Sequence, residues 1–388
     1  MSDSAINPKS LKGDLLKRSS KNISIERMKL SRLDALYDFL KKAHADQPLA
    51  VVFRDEDGIR RRWKWLNQDY PIPLDNELPA WICLRNDRIV GHFGVLPVHV
   101  ALQGRLIPAY WGRDLIVAPE HRQLGVGPRL VMAACDAVRH SCMVAGLNAS
   151  SRTLFGRLGF EDCGKIPLFV KIRDARPFLE SFSWPPSVRR VVLGMAAQTV
   201  QIVLDAQTRR RRVEHHALNV SPLECFDERF DPWWSTLEPA FPSIVRRTSS
   251  LMAWRYLAHP LHRYYIFAAK DHTSLRGILV LRHGTSRGVP AGFITEVLAR
   301  PEDGESLRCL LQFSTEFFSA WQGERPVFLR CSVHHRGVQR ALWQAGFWQV
   351  PSTHYWMTAP PVRYGEGIGL VPFDDWFLNG GDSDLDFV

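Results

Sequence analysis

Three landmarks occur twice, in the same order, along this chain. Trp65 stands six residues before Pro71 in WLNQDYP, and Trp254 six before Pro260 in WRYLAHP. Asp114 stands five before Pro119 in DLIVAP, as Glu296 does before Pro301 in EVLARP. LFGRLGF closes at Phe160 and ALWQAGF at Phe347. The two tryptophans are 189 residues apart, Pro119 and Pro301 182, and Gly159 and Gly346 187. Landmarks repeated in one order at a nearly constant offset mean a duplicated unit. Two such units suit a length of 388 residues.

Each copy alternates strand and helix. In the first, Ile89–Leu96 and Leu115–Val117 read as strands and Arg129–Val138 as a helix. Met143–Leu147 is a short buried strand, and Arg152–Leu158 a short helix stopped by Gly159. The fold expected is α/β of the α+β kind: two tandem domains, each a mixed twisted sheet flanked by helices. The boundaries fall at 1–22 for a disordered N-terminus, 23–173 for the first copy and 174–212 for a linker. The second copy then takes 213–360, and an acidic C-terminal tail 361–388. In the linker, 188–206 reads as one helix packed between the domains. Its apolar stretch is too short to span a bilayer, and arginines at both ends would suit peripheral membrane contact through 188–212. The tail carries Asp374, Asp375, Asp382, Asp384 and Asp386, with Trp376, Phe377 and Phe387 as anchors, and reads as solvated.

Hydrophobic residues make up 45% and charged residues 23%, which excludes collagen-like and disordered classes. Seven scattered cysteines without a CxxC pair point to free thiols in a reducing compartment. The charged N-terminal stretch has no apolar segment of signal-peptide type, so a cytoplasmic protein is expected. The histidine pairs 215–216 and 334–335 lack a companion ligand cluster, so no metal is expected. A formal charge of +10 suits an anionic partner without naming it. Arg60-Arg61-Arg62 and Arg209 to Arg212 read as solvated faces.

The segment WGRDLIVAPEHRQLGVGPRL is the most informative. A strand ends at Val117, Pro119 turns the chain, and Arg122, Gln123, Leu124, Gly125, Val126 and Gly127 lead into a helix with Pro128 in its first turn. The glycines clear side chains from backbone amides, and a helix N-terminus with bare amides is an anion site suited to a pyrophosphate. The pattern is neither GxGxxG nor GxxxxGK[ST]. V-x-P-x-x-R-x-x-G-x-G before a helix, then G-L-N before a short helix and L-G-F, resembles the GCN5-related N-acetyltransferases (GNAT). Val117, Pro119, Arg122, Gly125, Gly127, Gly146, Asn148, Gly159 and Phe160 carry the match. The second copy resembles the same fold with its motif worn away.

The resemblance implies a donor, acetyl-CoA or another acyl-CoA. Its pyrophosphate would lie on the segment Gln123–Pro128 and its pantetheine along Leu115, Ile116 and Val117. Asn148 would lie near the pantetheine arm, or else simply cap the next helix. Where the family commonly has a tyrosine as general acid, this chain has Phe155, kept here as a cofactor contact; Tyr110, Ser150 and Ser151 are alternative acids. Asp114 is the candidate general base, with Glu120 as the alternative, and strand backbone near Val117 the oxyanion donor. Trp111 and Arg113 on the cofactor strand, with the matched Trp65 and Trp254, are candidate acceptor contacts.

Aligning Pro119 with Pro301 places Gly304, Leu307 and Cys309 where Arg122, Gly125 and Gly127 stand. Glu302, Asp303 and Glu305 crowd that turn and would repel a pyrophosphate, so the second copy is expected to bind no CoA. The activity implied is acyl transfer from acyl-CoA to a primary amine of a small molecule, an amino sugar among the candidates. The alternatives are an acyl-carrier- or aminoacyl-tRNA-dependent transferase similar to peptidoglycan-bridge enzymes, and a non-catalytic CoA-binding module. The glycine-rich loop favours CoA over tRNA, so nucleic acid is not the expected partner; an acyl carrier protein is the alternative donor.

Overall fold

In a computed structural model of the chain, the described residues are 23–43, 56–72, 78–138, 142–174, 218–272, 274–286, 288–359 and 373–383. The linker helix expected at 188–206, the membrane contact through 188–212 and the pair His215-His216 lie outside them. Among the described residues, no helix is long and apolar enough to cross a membrane.

The first copy runs β1 (Ile23–Arg27), α1 (Leu33–Ala43), α2 (Glu56–Asn67), β2 (Ala80–Arg85), β3 (Arg88–Leu102) and β4 (Arg105–Val117). It continues through α3 (Val126–Ala137), β5 (Cys142–Leu147), α4 (Ala149–Arg157), β6 (Glu161–Lys165) and β7 (Leu168–Ile172). The second runs β8 (Asn219–Pro222), α5 (Phe230–Leu237), β9 (Ser243–Val245), α6 (Ser249–Met252), β10 (Tyr264–Asp271), β11 (Ser274–Ser286) and β12 (Val289–Ala299). It ends with α7 (Gly304–Ser319), β13 (Phe328–His334), α8 (Arg336–Gln344), β14 (Trp348–Val350), β15 (Tyr355–Thr358) and β16 (Trp376–Asn379).

Local chemistry accounts for these elements. Gln103 and Gly104, both at positive φ, turn β3 into β4 with Leu102 paired to Arg105, a two-residue hairpin of the kind that matches strand twist. On α3, Val126, Leu130, Val131, Ala134 and Cys135 are buried, a one-sided stripe at helical spacing that lies on the sheet. Both LGF and AGF motifs end a helix alike. Gly159 has φ 86° and Gly346 φ 85°, and the amides of Phe160 and Phe347 bond back to the carbonyls of Phe155 and Leu342.

The halves do not separate at 173 and 360. β15, from the second copy, pairs with both β5 and β6, while β7, from the first, pairs with both β13 and β14. Each copy has placed one strand in the other's sheet. Through β9 and β16 the two sheets join into one of 16 strands. Neither copy completes its sheet alone, so the two are one folding unit.

The C-terminal segment is likewise not a solvated tail. Trp376, Phe377 and Leu378 are buried in β16, which pairs antiparallel with β13 and parallel with β9. Asp374 binds Arg336 on α8, and Asp382 is buried. The anchors prevail over the acidic composition, with Asp374 and Asp382 each meeting an arginine; Asp384, Asp386 and Phe387 lie outside the described residues.

Candidate functional site

The site forms where the first copy's sheet opens. β4 and β5 run parallel and pair at Tyr110–Cys142, Trp111–Met143 and Gly112–Val144, then part. Past that point Leu115, Val117, Ala145 and Leu147 are half-buried, and Gly146 is exposed at φ 69°. A wedge therefore opens between the strands, bordered by the loop that leads from Val117 into α3.

In that loop Gly125 takes φ 72°, ψ 18°, the left-handed form a side chain disfavours, and no side chain caps α3. The amides of Val126 and Gly127, in the first turn, have no intrahelical acceptor, so they face outward with the positive end of the helix dipole. Gln123 and Leu124 close the 3-10 turn before them, and Pro128 contributes shape but no N–H. Arg122 is exposed and folds back, donating from Nε to the Val117 carbonyl at 3.2 Å. Asn148 caps α4, its Oδ1 accepting from the Ser151 amide at 2.8 Å.

Beside the wedge, β4 bulges. His92 pairs with Ile116 and Gly94 with Arg113, so Asp114 and Leu115 together face Phe93. Such a bulge leaves one residue out of the ladder. Asp114 sits there at φ 50°, a conformation that costs a non-glycine residue on the order of 1 kcal/mol, less for aspartate.

The side chain of Asp114 departs from its expected role. Arg62 grips it with two bonds, Nη1 to Oδ2 at 2.8 Å and Nη2 to Oδ1 at 3.0 Å. Arg113 adds a third at 2.9 Å and reaches Asn67 Oδ1 with its other nitrogen. Burial alone would raise the Asp114 carboxyl, but the two guanidinium groups outweigh it and hold the group well below the usual carboxylate range. A carboxylate held that low is a poor proton acceptor near neutrality, which argues against a general base. It fits an anchor instead, tying α2 to the bulge.

The candidate acceptor contacts are also interior. Trp65 and Trp254 stack at 4.1 Å and 8°, each Nε1 donating to the other's backbone carbonyl at 2.9 Å. They close a seam between the copies and offer no open face to a sugar. Trp111 is 2% and Arg113 3% exposed. Trp111 lines a cavity of about 40 Å³ with Tyr70, Arg247, Trp254, Arg255 and Glu296, which is water-sized and too small for an acceptor. Phe155 is buried against Phe93 and Phe160, so it packs the core beneath the loop rather than meeting a cofactor. Ile116 likewise faces the core under α1.

Two residues escaped the sequence reading. Arg62 was grouped with a solvated arginine run, yet it falls three residues after buried Ile59 and three before buried Trp65, on the inner face of α2. His92 interrupts the apolar run Ile89–Leu96 and is 1% exposed, with Nδ1 3.1 Å from the Asp114 carbonyl. In both, a polar residue at a core position was the available signal.

The second copy also bulges, one residue along, Val280 pairing with Glu296 and Leu281 with Ile294 so that Thr295 is left out. Its loop is closed as the sequence suggested. Asp303 caps α7, accepting from the Ser306 amide at 3.0 Å, and pairs with Arg276 at 2.7 Å. Its wedge is also filled: β16 bonds to β13 at Val333 and His334, and Asn379 donates to Glu296 on β12 at 2.8 Å. His334 and His335 serve structure, His334 bonding the Phe373 carbonyl and His335 capping α8. Among the described residues, no cluster of His, Cys, Asp or Glu could hold a metal.

Residues 24–163 match a family described as acetyltransferase (GNAT) domain. No curated protein matches the sequence. Among solved structures, a GCN5-related N-acetyltransferase from Anabaena variabilis superposes with a TM-score of 0.58 at 12% identity, covering 86% of this chain and 72% of its own. Saccharomyces cerevisiae N-myristoyltransferase, solved with bound myristoyl-CoA, does so at 0.53 and 9%, covering 92% and 87%. A probable N-acyltransferase from Enterococcus faecalis gives 0.55 and 11%, covering 87% and 73%. These likenesses show a shared fold across both copies. By sequence, the match to that family covers the first copy, residues 24–163.

Proposed function

We propose that the protein transfers an acyl group from an acyl-CoA thioester to a primary amine of a small molecule, in the wedge of the first copy. The observation that carries this reading is the pairing of an open wedge with an uncapped helix start, in the copy whose sequence matches the family. The amides from Gln123 to Gly127 suit the pyrophosphate, and Leu115 to Val117 the pantetheine amides. The thioester carbonyl then falls beside the bulge, where the unladdered strand amide serves as oxyanion donor. Such donors contribute about 10²–10³ in rate.

The acceptor nitrogen bonds to the carbonyl carbon and the C–S bond breaks. The CoA thiolate leaves with the electron pair, and the amine's extra proton passes to solvent, because Asp114 is too strong an acid to take it. An amino sugar heads the acceptors to test, and acetyl the acyl groups.

The test is calorimetric titration with acetyl-CoA and longer acyl-CoAs, followed by chromatographic detection of free CoA with a panel of amines. Binding and amine-dependent release are expected. Failure to bind any CoA thioester would remove the reading, and binding without release to any amine would leave a binding module in its place.

A further inference from the structure

We propose that His92 is a positioning residue for this reaction: its imidazole holds the left-handed bulge at Asp114, and through it the strand amide that meets the thioester. The inference rests on the acyl-transfer reading and adds a residue to it.

Six non-glycine residues among those described have positive φ. Asn86 and Asp87 turn β2 into β3, Gln103 turns β3 into β4, His272 lies in the turn after β10, and Ser383 follows β16. Asp114 is the one inside a strand. A conformation that is unfavourable and interrupts a ladder needs an outside hold. The Asp114 carbonyl can only accept, so the His92 nitrogen 3.1 Å away must be the N–H, which fixes the tautomer. Nε2 then carries the lone pair, and it is buried without a partner. Burial lowers the imidazole to about 4, so it stays neutral at physiological pH and keeps that single donor.

The second copy supplies the control. The pair His92–Ile116 recurs there as Ile278–Leu298, with no donor at that position. A register shift persists one residue along, leaving Thr295 out of the ladder with Glu296 still paired to Val280, and neither of them has positive φ. Where the imidazole is absent, the left-handed residue is absent too. Glu296 also keeps a buried arginine, Arg247, so an ion pair alone does not produce the conformation.

The test compares His92→Ile, which installs the second copy's residue, with His92→Asn and His92→Gln. The Asn amide nitrogen stands near the place of Nδ1, the Gln amide nitrogen near that of Nε2. His92→Ile should lower kcat at least tenfold, short of the ~10²–10³ for losing an oxyanion donor outright. KM for acyl-CoA should move less than about threefold, because the loop is untouched. Asn should restore most of kcat and Gln should not. A crystal structure of His92→Ile should show Asp114 at negative φ. Unchanged kcat, or Asp114 still left-handed in that variant, overturns the proposal. If the isoleucine variant does not fold, ¹⁵N-histidine spectra of the wild-type protein decide: hydrogen on Nδ1 supports the proposal, hydrogen on Nε2 overturns it. A wild-type protein that turns over no CoA thioester would sink the function but not these structural tests.

Discussion

The two copies open their sheets at the same place and use the gap in opposite ways. Gly112–Val144 and Ile294–Cys331 are the last paired residues before the parallel strands part. In the first copy the strands beyond stay partly exposed beside a bare helix start. In the second, every residue from Thr295 to Ala299 and from Ser332 to His334 is buried, and the chain's own β16 lies against them. Gly380 and Gly381 allow that approach: a Cβ on Gly380 would lie 3.2 Å from the Thr295 carbonyl, and one on Gly381 would overlap Glu296 and Tyr256. Strands that part expose unpaired edges, and peptide is an available filler. One copy thus keeps its gap open, and the other has its gap sealed by the C-terminal segment.

If that contrast holds, damage to the seal should cost stability and leave ligand affinity alone. Phe377 is 1% exposed and packs edge-on against Phe241 at 4.9 Å. Phe377→Ala should cost about 3–5 kcal/mol in denaturant unfolding, with the affinity for acyl-CoA unchanged at temperatures where the variant is folded. A loss of affinity equal to the loss of stability would mean that the two wedges are not separate in function. Asp114→Asn comes next, at about 3 kcal/mol, since it leaves half-buried Arg62 and buried Arg113 beside a neutral amide.

The paired caps at Gly159 and Gly346, the bare helix start after Gly125 and the closed turn at Asp303 were legible because each rests on chemistry within a few residues. The exchange of β7 and β15 was not. A five-residue strand such as LFVKI fits either sheet equally, and only the geometry of the whole chooses. Trp65 and Trp254 were recognised as a matched pair, but their reciprocal bonding depends on a two-fold relation that offsets along a chain do not contain. Asp114 was found and misjudged. Its chemistry depends on Arg62, 52 residues earlier, whose inward face is hidden in a run of three arginines. Composition misled on the C-terminal segment, where three buried apolar side chains outweigh the nearby carboxylates.

The comparison sharpens at the loops. Gly125→Glu places a carboxylate on the bare helix start and a side chain at φ 72°, and should weaken acyl-CoA binding about 100-fold, or ~2.7 kcal/mol. The reverse change, Asp303→Gly with Leu307→Gly, should create no affinity in the second copy, because β16 still fills its wedge. Calorimetry on a protein carrying Gly125→Glu together with the two second-copy changes separates the sites. Recovered binding there would show that the loop alone, not the seal, excludes the ligand.

The smallest effect is a difference in sign. Asp114 sits low when folded, so it contributes stability above the unfolded carboxyl's ~3.9 and loses it as the pH falls below that value. Asp382 is the opposite case. Burial raises it, and although Arg247 pulls it down, Glu296 beside the same guanidinium pushes it up again. Its ionisation therefore costs stability as the pH rises from the unfolded value through the raised folded one. Asp382→Asn keeps an oxygen to accept from Arg247 and from the Asn379 amide, and removes that charge. Relative to wild type, Asp382→Asn should match at the acid end and gain as the pH rises. Asp114→Asn should already be less stable at pH 3, fall further behind up to the unfolded carboxyl's ~3.9, and then stay level. Urea unfolding of both variants from pH 3 to 7 reads the two slopes. Parallel slopes would mean that the two buried carboxylates do the same work, and the sealed wedge would then be no different electrostatically from the open one.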